Sequence, residues 1–120
     1  MAEYKQYITQ VLENGNLMIS EDVIAAIIEE TVAEIEGIGS LAVKPVSEFA
    51  DLIGMNWGKG MKITISEDNS VAIDCNVLIK FGHSVIDVAT AAQQAITSAV
   101  EGTTGIKVSI VNVNVCGISR

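Results

Sequence analysis

The sequence predicts an α+β domain built as a two-layer sandwich, with two main helices on one face of a mixed sheet of about four to five strands. Three observations lead to this fold class. Apolar residues recur at helical spacing over 21–36 and again after Ser84. From Gly60 onward, outside the second helix, they follow the spacing of strands. The chain of 120 residues is 49% hydrophobic, which is enough for a single core.

The chain is expected to start with a leader, a short strand and the cap of a helix. Residues 1–14 are polar and mixed, so we assign them to an N-terminal leader and place the single domain over 15–118. The apolar run 15–20 is expected to be a strand. It closes with Ser20, a residue type that caps helices, and two carboxylates follow where they favour the helix dipole.

A helix is predicted over 21–36, with one apolar side that faces the core. That side consists of Val23, Ile24, Ile27, Ile28, Thr31 and Ile35. Glutamates occupy most of the opposite side. Gly37 is expected to end the helix, and 38–44 are expected to be extended up to Pro45, which disfavours helix in the residue before it.

The next stretch holds a motif that suggests a phosphate ligand. A short helical turn capped by Ser47 is expected first, and the glycine-rich sequence GMNWGKGMKI follows at 54–63. A phosphate-binding loop needs four residues between its first glycine and its Gly-Lys pair, and a Ser or Thr directly after that pair. Here three residues follow Gly54, and Gly60 replaces the hydroxyl. The loop also leads into a strand instead of a helix, so we interpret it as a joint.

A β-hairpin is predicted after this joint. Met61, Ile63 and Ile65 alternate with polar residues, as in a half-buried strand, and the turn-forming residues 67–70 follow. The second strand alternates as well. One of its faces consists of Val71, Ile73, Cys75, Val77, Ile79 and Phe81, and the other of Ala72, Asp74, Asn76, Leu78 and Lys80. Two such runs around a short polar turn are typical of a hairpin.

The second helix is expected to begin at Ser84, because Asp87 three residues later completes a capping-box pattern. Its apolar positions are Val85, Val88, Ala89, Ala92, Ile96, Ala99 and Val100. Gly102 and Gly105 bracket its end.

The last strand, 106–118, carries apolar residues on both of its faces. They are Ile106, Val108 and Ile110 on one parity, and Val111, Val113 and Val115 on the other. Two explanations stay open. A bulge near Ile110 shifts the register, or a partner subunit covers the second face.

Composition and charge exclude several classes of partner. Fifteen acidic residues against seven basic ones give a net charge of −8, which repels nucleic acid and anionic lipid. We expect no secretory signal, and no segment reaches the length of a membrane span. Cys75 and Cys116 lack metal-binding spacing, and we expect both to be buried thiols of a cytosolic protein.

No catalytic, cofactor or metal site is expected. His83, the single histidine, follows Cys75 by eight residues, which places the two about 26 Å apart along one strand. We expect His83 to face solvent at the strand end, and nothing in the spacing supports its pairing with Cys116. The acidic residues fit a solvated helix face and a turn, without the regular spacing of a calcium loop.

Several short motifs in the second half occur in a particular order. An Asp-led strand ends in Phe81 and Gly82, and a helix with a Val-Ala pair and Gln93 follows. An Ala-Val-Glu segment then precedes a Thr-Gly turn, and a strand of Val-Asn-Val character ends in Gly117. This order is similar to that of the alkaline shock protein family, the Gls-type envelope stress response proteins.

The resemblance extends upstream over most of the chain. KGMKITI (59–65) resembles a strand of that family, and ISEDVIAAII (19–28) and EIEGIGSL (34–41) resemble its first helix and the turn after it. The sequence departs from the family's pattern at Ile86, where a proline is frequent, and in AVKPVSEF (42–49).

The resemblance implies a cytoplasmic, non-enzymatic protein of Gram-positive bacteria that serves cell-envelope homeostasis or stress response. Some members are held at the membrane by a small membrane-spanning partner. We therefore expect a scaffold that self-associates or docks such a partner, without a cofactor and without inserting into the membrane itself. The expected partner surface is the sheet face away from the helices. Its residues are Lys62, Thr64, Asp74, Asn76, Lys80, Asn112 and Asn114.

Two other functions compete with the scaffold. Genes of this family often stand beside a kinase for a lipid or small ketone, which implies an accessory or regulatory role for such an enzyme. An RNA-binding module is the other, because small sheet-and-helix domains bind RNA. The charge of −8 and the lack of a Gly-x-x-Gly clamp between helices argue against RNA.

Overall fold

The structure, a computed structural model, describes residues 7–42 and 60–120. Within these ranges the chain forms two helices and two sheets, which confirms the α+β fold class. The elements are β1 (Tyr7–Leu12), β2 (Gly15–Ser20), α1 (Glu21–Glu34), β3 (Ile38–Leu41), β4 (Met61–Ile65), β5 (Val71–Lys80), α2 (Val85–Thr104) and β6 (Val108–Ser119). The helical turn predicted at Ser47 and the joint up to Lys59 lie outside the described residues.

Strand β1 forms where the sequence predicts no strand. It pairs with β2 in an antiparallel two-stranded ribbon, in which Ile8 and Ile19 lie opposite each other and are both buried. A further contact joins the ribbon to the turn between β4 and β5, because the Asn69 side chain donates to the Thr9 carbonyl at 3.0 Å. These contacts attach one end of the ribbon to the core, while Val11 near its turn is 84% exposed.

Helix α1 begins as predicted, but its core side differs from the prediction. The Ser20 hydroxyl accepts a hydrogen bond from the Asp22 backbone N–H at 3.1 Å, which is the expected N-cap. The helix ends at Glu34, and Val23 is 44% exposed. The buried residues are Ile24, Ala25, Ile28 and Val32. Ile24, Ile28 and Val32 follow a spacing of four, and Ala25 lies beside this row. The prediction that Val23 faces the core is therefore wrong.

Strand β5 is the centre of the four-stranded sheet. β6 pairs with it in parallel along its whole length, whereas β3 and β4 pair with it antiparallel. β4 lies opposite Val71–Cys75 and β3 opposite Val77–Ile79, so the two share the other edge of β5 in succession. The pairing of β4 with β5 confirms the predicted hairpin, and the mixed sheet is confirmed as well.

The core lies between the two helices and one face of β5. The residues of β5 that face the helices are all buried: Val71, Ile73, Cys75, Val77 and Ile79. Helix α2 contributes Val88, Ala92, Ile96 and Val100. The prediction that this face continues to Phe81 is wrong, because Phe81 follows the last residue of β5 and is 75% exposed. Val85, the first residue of α2, is likewise 40% exposed.

The predicted limits of α2 are nearly correct. The Ser84 hydroxyl accepts a hydrogen bond from the Asp87 backbone N–H at 3.4 Å and caps the start. The helix continues through Gly102 to Thr104 and ends at Gly105. Gly102 therefore lies within the last turn of α2.

A bulge explains why β6 has apolar residues on both parities. Val108 pairs with Val71 and Ile110 pairs with Ala72, so Ser109 is an extra residue and the register shifts there. After this shift Val111 is opposite Ile73, on the helix side of the sheet, and it is buried. The bulge is thus the correct one of the two explanations, and a covering subunit is not needed to account for the valines.

Candidate partner surface

The register of the sheet places all seven predicted surface residues on the side away from the helices. Paired residues of neighbouring strands point to the same side, and successive residues of a strand alternate between sides. Lys62 pairs with Asp74, and Asp74 pairs in turn with Asn112. The remaining pairs are Thr64 with Ala72, Asn76 with Asn114, and Lys80 with Ser119. We call Lys62, Thr64, Asp74, Asn76, Lys80, Asn112 and Asn114 the polar sheet face.

Two side-chain hydrogen bonds connect β5 with β6 across the polar sheet face. Asn112 donates its amide to an Asp74 carboxylate oxygen at 2.9 Å, and Asn114 donates its amide to the Asn76 side-chain oxygen at 3.1 Å. Both asparagines of β6 are exposed, and each hydrogen bond restrains its side chain. A partner that binds this face would therefore have less side-chain entropy to remove.

Asn76 is the buried member of the polar sheet face. Its backbone carbonyl accepts from Ala42 and its backbone N–H donates to the Gly60 carbonyl, both at 2.7 Å. Its side-chain Nδ2 has no hydrogen-bond partner among the described residues, and such a buried donor costs about 1–3 kcal/mol. Because Asn76 is inaccessible, its contribution is to hold Asn114, and the exposed members are the ones that a partner can touch.

Charge is distributed unequally between the two layers. The helical segments 21–36 and 84–104 contain eight acidic residues and no Lys or Arg. The polar sheet face instead carries Lys62 and Lys80 against Asp74. The polar sheet face is therefore the less acidic of the two layers.

The two cysteines lie in different environments. Burial, reinforced by the nearby Asp74 carboxylate, raises the pKa of the Cys75 thiol to about 12, so this thiol stays protonated and inert at neutral pH. Cys116 is exposed, and the prediction that it is buried is wrong. The reason is a second register shift: Val115 pairs with Val77 and Gly117 with Leu78, so Cys116 is the extra residue of a bulge.

Other titratable groups have structural surroundings. The Asp68 carboxylate accepts hydrogen bonds from the Ser70 hydroxyl at 2.7 Å and from its backbone N–H at 3.1 Å, and these bonds lower the pKa of Asp68. This is the turn bonding predicted for 67–70. His83 is exposed just after β5, as predicted. Within residues 7–42 and 60–120, no group of three or more His, Cys, Asp or Glu side chains could hold a metal ion.

Comparison with known proteins assigns the chain to a family. The model of the alkaline shock protein 23 family, described by a cell envelope-related function, matches residues 9–120. The chain belongs to this family. The match confirms the resemblance found from the ordered motifs of the sequence.

Curated relatives in this alkaline shock protein family carry no assigned function. The chain is 31% identical over 104 residues to the uncharacterized protein Spy1535 of Streptococcus pyogenes serotype M6, covering 87% of this chain and 79% of that protein. It is 28% identical over 108 residues to the uncharacterized protein YqhY of Bacillus subtilis, and the match covers 87% of this chain and 77% of YqhY. It is 27% identical over 109 residues to the uncharacterized protein Spy1614 of the same streptococcus, and the match covers 88% of this chain and 89% of Spy1614. No solved structure matches the chain.

Sequence reasoning missed a second group of exposed residues in this member of the alkaline shock protein family. They are apolar and lie near the C-terminal ends of β5 and β6: Phe81, Val115 and Ile118. Alternation predicts that Phe81 lies on the core face, and only the packing position of α2 reveals that the helix does not cover Phe81, Val115 and Ile118. Among the described helices, neither is long and apolar enough to cross a membrane.

Proposed function

We propose that this chain is a non-enzymatic cytoplasmic scaffold of the cell envelope, which self-associates or docks a membrane-anchored partner through its polar sheet face. The observation that carries the proposal is the combination of a family with a cell envelope-related function and an ordered polar face on the side of the sheet away from the helices. Docking would bring the scaffold to the envelope.

The build of the polar sheet face supports a binding role. The polar sheet face is centred on β5. Strand β5 is paired on both of its edges, so neighbouring strands hold the backbone of this face in place. Asn112 and Asn114 are restrained by hydrogen bonds before any partner arrives. Preorganised surfaces bind with a smaller entropic cost than flexible ones.

The test is affinity capture from detergent-solubilised membranes, read by mass spectrometry with three baits. These are the wild type, Thr64→Arg on the polar sheet face, and Thr103→Arg as the matched control. Both threonines are exposed, and Thr103 lies in the last turn of α2, away from the proposed surface. We choose Thr64 over Asn76 because a charge at the buried Asn76 would disturb the fold itself.

The proposal predicts that a small membrane-spanning protein is enriched by the wild type and by Thr103→Arg but is lost with Thr64→Arg. Equal capture by all three baits would contradict the assigned surface. Recovery of a soluble lipid or ketone kinase in place of a membrane protein would instead favour the accessory role for such an enzyme.

A further inference from the structure

Strand β6 is a long edge strand that lacks charge and proline, although it has bulges at Ser109 and Cys116 and α2 covers its first half. Among the described residues it pairs with β5 alone, and it spans twelve residues, Val108–Ser119. Natural edge strands avoid pairing with other chains by being short or by carrying charge or proline. β6 contains no charged residue and no proline. The opposite edge of the sheet differs, since β3 has four residues and β4 has five with Lys62 among them.

Helix α2 covers the first half of β6 and leaves the second half open. The Glu101 carboxylate accepts from the Val108 backbone N–H at 2.9 Å, and the Gln93 side chain donates to the Val111 carbonyl at 3.1 Å. Val108 and Val111 are accordingly 8% and 7% exposed. Further along the strand, Val115 is 37% and Ile118 is 50% exposed on the same side.

The open half of β6 continues into Phe81. The backbone N–H of Phe81 donates to the Ser119 carbonyl at 2.8 Å, so Phe81 is adjacent to the end of β6, and it is 75% exposed. Exposed apolar side chains beside an unpaired strand edge are typical of interaction sites. We call Phe81, Val115 and Ile118, together with the free edge of β6, the β6 edge patch.

We propose that the β6 edge patch binds the same patch of a second copy of the chain, with the two β6 strands pairing antiparallel into one continuous sheet. This inference rests on the self-associating part of the proposed function. It assigns self-association to the β6 edge patch and leaves the polar sheet face to the membrane-anchored partner. A second copy can occupy the patch because two β6 strands bring no charged side chains together, although each chain has a net charge of −8.

Symmetry makes the strand complementary to itself. A two-fold axis perpendicular to the sheet keeps the helix side of one copy on the helix side of the other. Residues that face each other across the new pairing must therefore come from the same side of β6. With the two-fold axis at Val113, the Val113 side chains of the two copies meet on the helix side, and Asn112 of one copy meets Asn114 of the other on the opposite side. Such pairs are compatible on both sides.

The test is sedimentation velocity of the full chain over a wide range of concentrations. We expect the wild type to convert reversibly from monomer to dimer as concentration rises. Val115→Lys places two ammonium groups in the paired strands, so its dimerisation should weaken roughly tenfold or more. Val11→Lys is the matched control, because Val11 is an exposed strand valine on the β1–β2 ribbon. It should dimerise like the wild type.

Amide hydrogen exchange on the wild type gives a second readout that needs no variant. Backbone amides of 112–118 should become protected at dimer-forming concentrations. A wild type that stays monomeric, or a dimer that protects other strands, would overturn the proposal. Loss of dimer in Val11→Lys with retention in Val115→Lys would overturn it as well and assign the contact to the ribbon. None of these outcomes depends on Thr64, so capture of a membrane partner is decided separately.

Discussion

The contact between Gly37 and helix α2 gives the sharpest test of the packing, because a second glycine provides a matched control. Gly37 has φ +98°, and a Cβ added there would lie 2.6 Å from Val88 Cγ2 and 3.1 Å from His83 Nδ1. Gly82 has nearly the same φ, +96°, but an added Cβ would meet nothing within 4 Å. Gly37→Ala therefore adds a clash to a backbone strain that the two substitutions share.

The magnitudes follow from these two contributions. Placing an L-residue at such a positive φ costs about 1–2 kcal/mol of stability. Alanine offsets about 0.4–1 kcal/mol of this cost, because it lowers the conformational entropy of the unfolded chain relative to glycine. Forcing a methyl group into a packed site costs about 1–3 kcal/mol more. We therefore expect a loss in the free energy of unfolding of about 1 kcal/mol for Gly82→Ala and about 2–4 kcal/mol for Gly37→Ala.

The assay is urea denaturation monitored by circular dichroism. The free energies of unfolding are compared between variants whose dependence on urea concentration has the same slope. A third variant removes the obstacle. In the Val88→Ala background, Gly37→Ala should cost less than it does in the wild type, because the atom nearest to the new methyl group is gone and only the contact with His83 at 3.1 Å remains. Equal losses for Gly37→Ala and Gly82→Ala in the wild-type background would refute the described packing of α2 against the end of α1.

Two further predictions concern the thiols and the core. Cys116 is exposed, whereas Cys75 is buried with a pKa of about 12, so iodoacetamide at pH 8 should alkylate Cys116 alone in the native protein and both thiols after unfolding. Mass spectrometry of the peptides measures this, and rapid native labelling of Cys75 would contradict its burial. Ile73 is fully buried in β5, so Ile73→Ala should lower the free energy of unfolding by about 2–5 kcal/mol. The exposed Val11→Ala should change it by less than about 0.5 kcal/mol in the same urea assay, and equal effects would place the core elsewhere.

Features that depend on local chemistry were predictable from the sequence. The caps at Ser20 and Ser84 need only the serine and the backbone a few residues later, and both occur in the structure. The β4–β5 hairpin follows from alternation around a short polar turn, which a single chain displays by itself. The residues of the polar sheet face could be grouped for the same reason, because alternation assigns each of them to a side.

Features that depend on distant partners were not predictable in this way. β1 has apolar residues on both parities, and its pairing with β2 becomes visible only when Ile8 and Ile19 meet in the core. The backbone of Asn76 bonds to Ala42 and Gly60, two residues that are distant from it in sequence, and its position in the alternating pattern gives no sign that it is buried. The sequence indicates the bulge at Ser109 as one of two explanations, near Ile110, but cannot decide between them, because a register exists only relative to a neighbouring strand.

The central claim is that this chain acts at the cell envelope through a partner docked on the polar sheet face. The most direct measurement is fluorescence microscopy of the tagged wild type, Thr64→Arg and Thr103→Arg proteins in the source cells, at matched abundance. The account predicts that the wild type and Thr103→Arg outline the cell periphery, whereas Thr64→Arg spreads through the interior. A wild type that fills the interior evenly, or a Thr64→Arg protein that stays at the periphery, would contradict it.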